Sequence, residues 1–176
     1  MLDNYLLVKD FEFDRMNQMH KSRMIKTFVE NKIEANDLGS GYNTEYHDSI
    51  YTTIISDAFL KIVNEEFTVS EKLNPIQTRI YVQNNEQYNS VWHNHANTSS
   101  INAVYYIDPP SKSGGLQFSL AGKEFTIQPE KNKLYIFPYW MDHRPLPQED
   151  KEWRISVNIE YMCLQRPIYK KLDVLW

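Results

Sequence analysis

From Ile76 to Tyr161 the chain is a succession of short β-branched and aromatic segments separated by turn residues, a pattern that belongs to packed sheets. Candidate strands are Ile76 to Gln83, Ser90 to His95, Ile101 to Ile107, Leu116 to Leu120, Glu124 to Ile127, Lys133 to Phe137 and Arg154 to Tyr161. Between them lie Asn84-Asn85, Pro109-Pro110, Gly114-Gly115, Ala121-Gly122, Glu130-Lys131-Asn132 and the stretch Pro145 to Asp150, all rich in residues that favour turns. Strands this short and this closely spaced pack as a sandwich or jelly roll.

Upstream of Asn74-Pro75 the periodicity is helical. Ile50, Tyr51, Ile54, Ile55, Ala58, Phe59, Ile62 and Val63 recur in pairs, with Asp48 or Ser49 available as N-cap. Phe13 to Asn31 carries a weaker pattern through Met16, Met24, Ile25, Phe28 and Val29, and Gly39-Ser40-Gly41 marks a loop after it. The expected fold class is mainly β (α+β), a double-stranded β-helix or jelly roll with amino-terminal helices packed on one sheet. A length of 176 residues suits one domain. It divides into helical support over 1–74, a jelly-roll core over 75–162 and a carboxy-terminal extension over 163–176.

Composition narrows the class of function. A net charge of -4 with basic residues scattered among acidic ones offers no footprint for a nucleic-acid partner. No apolar stretch approaches the ~20 residues that span a bilayer, and the amino terminus is acidic where a signal peptide is basic, so a soluble, intracellular, cytoplasmic protein without membrane contact is expected. Cys163 is the only cysteine, which excludes an intrachain disulfide and suits a buried, inert thiol.

His93-Asn94-His95 and the later His143 are the chemically informative residues. In a strand, side chains at i and i+2 share a face, so His93 and His95 can offer two imidazoles to one metal ion. His143 follows the apolar segment Leu134 to Phe137 and Pro138 and sits at its rim. Three ligands gathered on one side leave half the coordination sphere open, as oxygen chemistry at non-haem iron requires. The bland alternative, a buried pair of imidazoles without metal, needs a separate hydrogen-bonding partner for each ring. His20 and His47 have no histidine at metal spacing and read as ordinary polar residues.

Several segments, in order, resemble the iron(II) and 2-oxoglutarate-dependent dioxygenases, in particular the prolyl-hydroxylase-like and short phage or bacterial forms. These are Thr78-Arg79-Ile80-Tyr81, the His-x-ligand step at His93 and His95, Ala103 to Asp108, and Gly114-Gly115-Leu116-Gln117-Phe118. The order continues through Leu134 to Pro138, the distal His143 and Arg154-Ile155-Ser156-Val157-Asn158. The resemblance implies Fe(II) held by His93, His95 and His143, with His95 standing where most members have a carboxylate. It implies 2-oxoglutarate gripped at its far end by Arg154, with Ser156, Tyr106 and, more weakly, Tyr81 adding hydroxyl groups. Tyr105 and Tyr106 face opposite sides of a strand, so at most one can contribute. Asp142 points away from His143 and takes a supporting or surface role. The implied reaction uses O2 to hydroxylate a C-H bond of a small-molecule or peptide substrate and releases succinate and CO2. Trp92, Trp140 and the loop Asn84 to Ser90 are expected to line the entrance. Two rivals share these residues: a cupin-like three-histidine dioxygenase that does not use 2-oxoglutarate, and a metal- or ligand-binding module without catalysis.

Overall fold

Period-two alternation divides the strands of this chain between two interiors, and that division builds the molecule. The computed structural model describes residues 2–31, 43–44, 49–70, 76–85 and 90–176, the side chains at 28–31, 43, 44 and 49 excepted. Gly39-Ser40-Gly41, His47, Asp48 and Asn74-Pro75 lie outside these residues, as do the side chains of Phe28 and Val29 and most of the loop before Ser90. The elements are β1 (Leu7–Asp10), α1 (Asp14–Asn31), β2 (Asn43–Thr44), α2 (Ser49–Glu66), β3 (Phe67–Thr68), β4 (Gln77–Gln83) and β5 (Ile101–Ile107). They continue with β6 (Leu116–Leu120), β7 (Lys123–Ile127), β8 (Lys133–Pro138), β9 (Asp142–Pro145), β10 (Arg154–Tyr161), β11 (Ile168–Tyr169) and β12 (Val174–Leu175). A six-stranded sheet in the order β1-β8-β5-β10-β4-β2 faces a three-stranded sheet, β7-β6-β9, while β12-β11-β3 forms a small separate sheet. All the pairings are antiparallel. The result is a jelly roll with helices against its larger sheet.

Each central strand serves both interiors. On the helix side, Ile155, Val157 and Ile159 of β10 join Ile101, Ala103, Tyr105 and Ile107 of β5 and Leu134 and Ile136 of β8 in one core with Met24, Tyr51, Ile55, Phe59 and Val63. On the other side, Val104, Tyr106, Tyr135 and Phe137 meet Leu116, Phe118 and Met141 between the two sheets. The polar residues of β10, Arg154, Ser156, Asn158 and Glu160, fall on that second side and line a cavity there. A strand buried on both faces, as β5 is throughout, reads as a continuous apolar run.

Three expectations need correction. Ser90 to His95 is not a strand: only His93 pairs, in an isolated bridge with His143. The chain turns at His95, whose carbonyl accepts from the N–H groups of Thr98 and Ser99. Conversely, β9 was expected to be a rim and turn; pairing with β6, Phe118 opposite His143, makes it a strand despite its Arg144-Pro145 end. The apolar stripe of α2 is also narrower than its spacing suggests. Tyr51, Ile55, Phe59 and Val63 are fully buried, one turn apart, whereas Ile50 and Ile54 are exposed. The turn at Ala121-Gly122 is as expected. Both residues have positive φ (50° and 73°), the twist that suits a two-residue hairpin between β6 and β7. No described helix is long and apolar enough to cross a membrane.

Because Phe59 lies in the fully buried row of α2 and Ile50 is exposed, Phe59→Ala should cost about 3–5 kcal/mol, and Ile50→Ala no more than about 0.5 kcal/mol. Urea denaturation of the two variants checks this; equal losses would mean that the helix presents a different face.

Candidate metal centre

The site begins with a two-way backbone bridge. The His93 N–H donates to the His143 carbonyl at 3.1 Å, and the His143 N–H donates to the His93 carbonyl at 2.9 Å. Residues paired in this way present their side chains on the same side, so the two rings meet, with centroids 4.3 Å apart. Their neighbours meet on the opposite side. The Arg144 guanidinium lies 4.5 Å from the centre of the Trp92 ring, and Asn94 Nδ2 donates to Asp142 Oδ1 at 2.8 Å. These two contacts clamp the bridge from outside and assign Asp142 to a partner away from the histidines.

His95 reaches the same point because the chain turns, its N–H donating to the Tyr139 carbonyl at 2.8 Å. One ligand atom from each of His93, His95 and His143 lies within 4.8 Å of the others. His93 Nδ1 is 2.9 Å from the Val91 carbonyl, and His143 Nδ1 is 3.0 Å from the Met141 carbonyl. A carbonyl can only accept, so in each ring Nδ1 carries the proton and Nε2 presents its lone pair. Burial lowers the pKa of His93 and, reinforced by the neighbouring His93 and His95 and only partly offset by the Met141 carbonyl, drives that of His143 down to about 3. Phe118 and Phe137 pack around His143 and account for its burial. His95 differs: its Nδ1 faces a carboxylate, Glu160 Oε1, at 3.3 Å. Burial raises the Glu160 pKa, and the contact with His95, aided by Arg79 and Thr98, outweighs it and holds the carboxyl below its usual range.

This donor set fits a first-row divalent metal. Burial keeps His93 and His143 neutral, both are fixed in the tautomer that exposes Nε2, and no fourth His, Cys, Asp or Glu among the described residues joins the group. A three-nitrogen face with open positions suits a metal that must also bind exchangeable ligands, and not a closed structural site.

The cavity beside the histidines has a volume of about 470 Å³ and is walled on its apolar side by Val104, Leu116 and Pro145. Tyr81, Tyr106, Arg154 and Ser156 line it together with the histidines. Ser156 lies opposite Tyr81 on β4 and opposite Tyr106 on β5, so three hydroxyl groups cross the sheet in one row beside Arg154. Tyr105 points the other way, its hydroxyl accepting from Asn17 Nδ2 at 2.5 Å. Burial pushes Tyr106 up to about 12, with Arg154 opposing, so its hydroxyl is a hydrogen-bond donor at neutral pH.

Arg154 is 1% exposed, and no acid among the described residues pairs with it. Nη1 donates to the carbonyls of Ser113 and Leu146, and Nη2 donates to Gln83 Oε1 at 2.8 Å. Of its five N–H donors, one on Nε and one on Nη2 remain, the adjacent pair that can fork onto a carboxylate. Gly114 makes the carbonyl cradle: its φ is +70°, and a Cβ there would sit on the carbonyl oxygens of Pro147 and Leu146. A buried cation held by neutral dipoles is costly unless an anion arrives.

Gln83, Asn158, Glu160 and Arg79 also line the cavity and were not singled out from the sequence. Alternation along β10 from Arg154 would have found Asn158 and Glu160. Of the expected entrance residues, Trp92 and Trp140 do not line the cavity: Trp92 lies under Arg144, and Trp140 packs edge-on against Tyr5 at 5.1 Å; most of the loop Asn84 to Ser90 lies outside the described residues. His20 rests against the Tyr51 ring, and Cys163 is buried.

No family model matches the sequence, and no curated protein matches it. The structure is similar to a prolyl-4-hydroxylase from Pseudomonas putida, with TM-score 0.67 and 14% identity over 92% of this chain and 95% of that one. It is similar to a prolyl hydroxylase from Trichoplax adhaerens solved with a hypoxia inducible factor peptide fragment, with TM-score 0.61 and 11% identity over 91% and 84%. A third neighbour is a non-heme alpha ketoglutarate dependent carbocyclase from nogalamycin biosynthesis, with TM-score 0.65 and 9% identity over 93% and 81%. At these identities the likeness defines the fold: the chain has the jelly roll of these oxygenases.

His143 titrates near 3 when folded and near 6.5 when unfolded. Between those values the unfolded chain binds the extra proton, so stability of the metal-free protein falls as pH is lowered from about 6.5, by up to about 1.4 kcal/mol per pH unit from this residue. His143→Phe should flatten the dependence between pH 6.5 and 5, measured by urea midpoints; an unchanged slope would contradict the buried neutral ring.

Proposed function

We propose that this chain is a non-haem Fe(II)- and 2-oxoglutarate-dependent dioxygenase that hydroxylates a C-H bond of its substrate. One observation carries the reading: three converging imidazoles and a buried guanidinium without an acid partner among the described residues line the same cavity. The fold shared with prolyl hydroxylases and with an alpha ketoglutarate dependent carbocyclase supports it.

His93 and His143 present Nε2 to the metal, fixed by their Nδ1 contacts to backbone carbonyls, and His95 completes the face. The free fork of Arg154 takes the distal carboxylate of 2-oxoglutarate, which supplies the counter-charge that the buried guanidinium lacks. Tyr106 donates its hydroxyl to the same carboxylate, and Ser156 and Tyr81 extend the row of hydroxyl groups. Val104, Leu116 and Pro145 keep that side of the cavity apolar, which strengthens each of these charge-assisted contacts. When bound, Fe(II) and 2-oxoglutarate supply the activation of O2: one oxygen atom enters the substrate as hydroxyl, the other enters succinate, and CO2 leaves. The protein's own contribution is position and exclusion of water.

Anaerobic addition of 2-oxoglutarate to the Fe(II)-loaded protein should produce the visible metal-to-ligand charge-transfer band of a chelated 2-oxo acid. Arg154→Met should weaken 2-oxoglutarate binding by at least about 30-fold, as loss of one partner of a buried charge pair does. His95→Ala should abolish the band, and Asp142→Ala should retain it. No band in the wild-type protein would sink the assignment. A three-histidine dioxygenase that does not use 2-oxoglutarate would bind iron and be indifferent to Arg154→Met.

A further inference from the structure

Two of the three histidines are oriented by their own chain, and the third is not. His93 and His143 each direct Nδ1 at the carbonyl two residues before, on Val91 and Met141. The equivalent carbonyl for His95 is that of His93, which already accepts the His143 N–H at 2.9 Å in the bridge. His95 Nδ1 does not turn to that carbonyl; the group it faces is Glu160 on β10, whose Oε1 is 3.3 Å away.

We infer that Glu160 is a positioning residue of the metal centre, holding the His95 ring through Nδ1 and supplying from behind it the negative charge that a histidine ligand does not carry. The inference rests on the iron reading above. The common donor set for non-haem Fe(II) with open positions is two histidines and one carboxylate. Three neutral imidazoles leave both positive charges of the ion uncompensated. A carboxylate that accepts from the distal nitrogen of a ligating imidazole fixes its orientation and raises its basicity. Here the carboxylate stands behind the one ligand whose side chain would otherwise have been acidic in that donor set.

The surroundings leave Glu160 available for this role. Its side chain is 6% exposed, so little water screens it from the ring. The cation facing it is Arg79, with Nη1 at 3.7 Å on a side chain that is 47% exposed. At the rim and in contact with solvent, Arg79 forms a weak pair that does not cancel the buried carboxylate. Glu160 shares its strand face with Arg154, Ser156 and Asn158, so the register that sets the anion clamp also sets the distance to His95.

The test uses the full chain, metal-free, titrated anaerobically with Fe(II), together with the midpoint potential of the bound Fe(III)/Fe(II) couple. Glu160→Ala should weaken Fe(II) binding about 10–100-fold, as loss of such an outer partner does. Glu160→Gln keeps an acceptor for Nδ1–H and removes the charge, so its affinity should fall less while its potential moves positive, as it does for Glu160→Ala. In a His95→Asp background, where the carboxylate is itself a ligand, Glu160→Gln should no longer weaken binding. If His95→Ala abolishes binding while both Glu160 variants keep wild-type affinity and potential, the role of Glu160 is overturned and the iron centre stands. If affinity falls with no change in potential and no relief in the His95→Asp background, Glu160 is merely structural and the inference also fails. Wild-type protein that binds no Fe(II), or His95→Ala that binds it as well as wild type, would overturn the iron centre and this role together. Circular dichroism establishes folding of each variant, and should Glu160→Ala not fold, the near-isosteric Glu160→Gln decides alone.

Discussion

The pair of backbone hydrogen bonds between His93 and His143 is the constraint on which the rest of the site depends. Without it the segment around His93 has no regular structure to hold it, since neither neighbour of His93 belongs to a strand. With it, two rings point at one place and two outer pairs, Trp92 with Arg144 and Asn94 with Asp142, close over the back of the bridge. The third ring lies outside this bridge and faces a carboxylate on a distant strand. Geometry that in a regular sheet would be spread over many ladder bonds is concentrated here in one pair and its flanking side chains.

The fold was legible in the sequence wherever alternation was strong. Burial of β5, β8 and β10 follows directly from their β-branched and aromatic runs, and period two alone separates Tyr105 from Tyr106 and sets Ser156 on the face of Arg154. What escaped was non-local. The strand β9 exists because Phe118 and its neighbours pair with it, and nothing within Asp142-His143-Arg144-Pro145 announces a strand. His93 and His95 do converge, but by a different cause from the one expected: a bridge followed by a turn, not two steps of one strand. Glu160 could be assigned to the cavity face by counting from Arg154, yet its contact with His95 depends on where that turn falls. The acceptors of Arg154, on Ser113, Leu146 and Gln83, were equally invisible because they come from separate loops and a separate strand.

The molecule mounts its chemistry on strands that also build its core. The larger sheet buries apolar residues on both faces, against the helices and against the smaller sheet, and sets the polar residues of β10 in the cavity. The smaller sheet contributes His143, Leu116 and Pro145 to the cavity. Arg154, Ser156 and Tyr106 are thus mounted on well-packed strands, as binding sites on rigid elements require, whereas His93 and His95 are held by the bridge and the turn.

Strand β10 shows what this arrangement means for redesign. Its cavity residues alternate with Ile155, Val157, Ile159 and Tyr161, all buried in the helix-side core. Insertion or deletion of a single residue here would exchange the two sets, driving a guanidinium and a carboxylate into hydrocarbon and lining the cavity with isoleucine and valine. Anyone reshaping the substrate space of this protein can exchange side chains on the cavity face, whereas the length and frame of β10 must be left untouched.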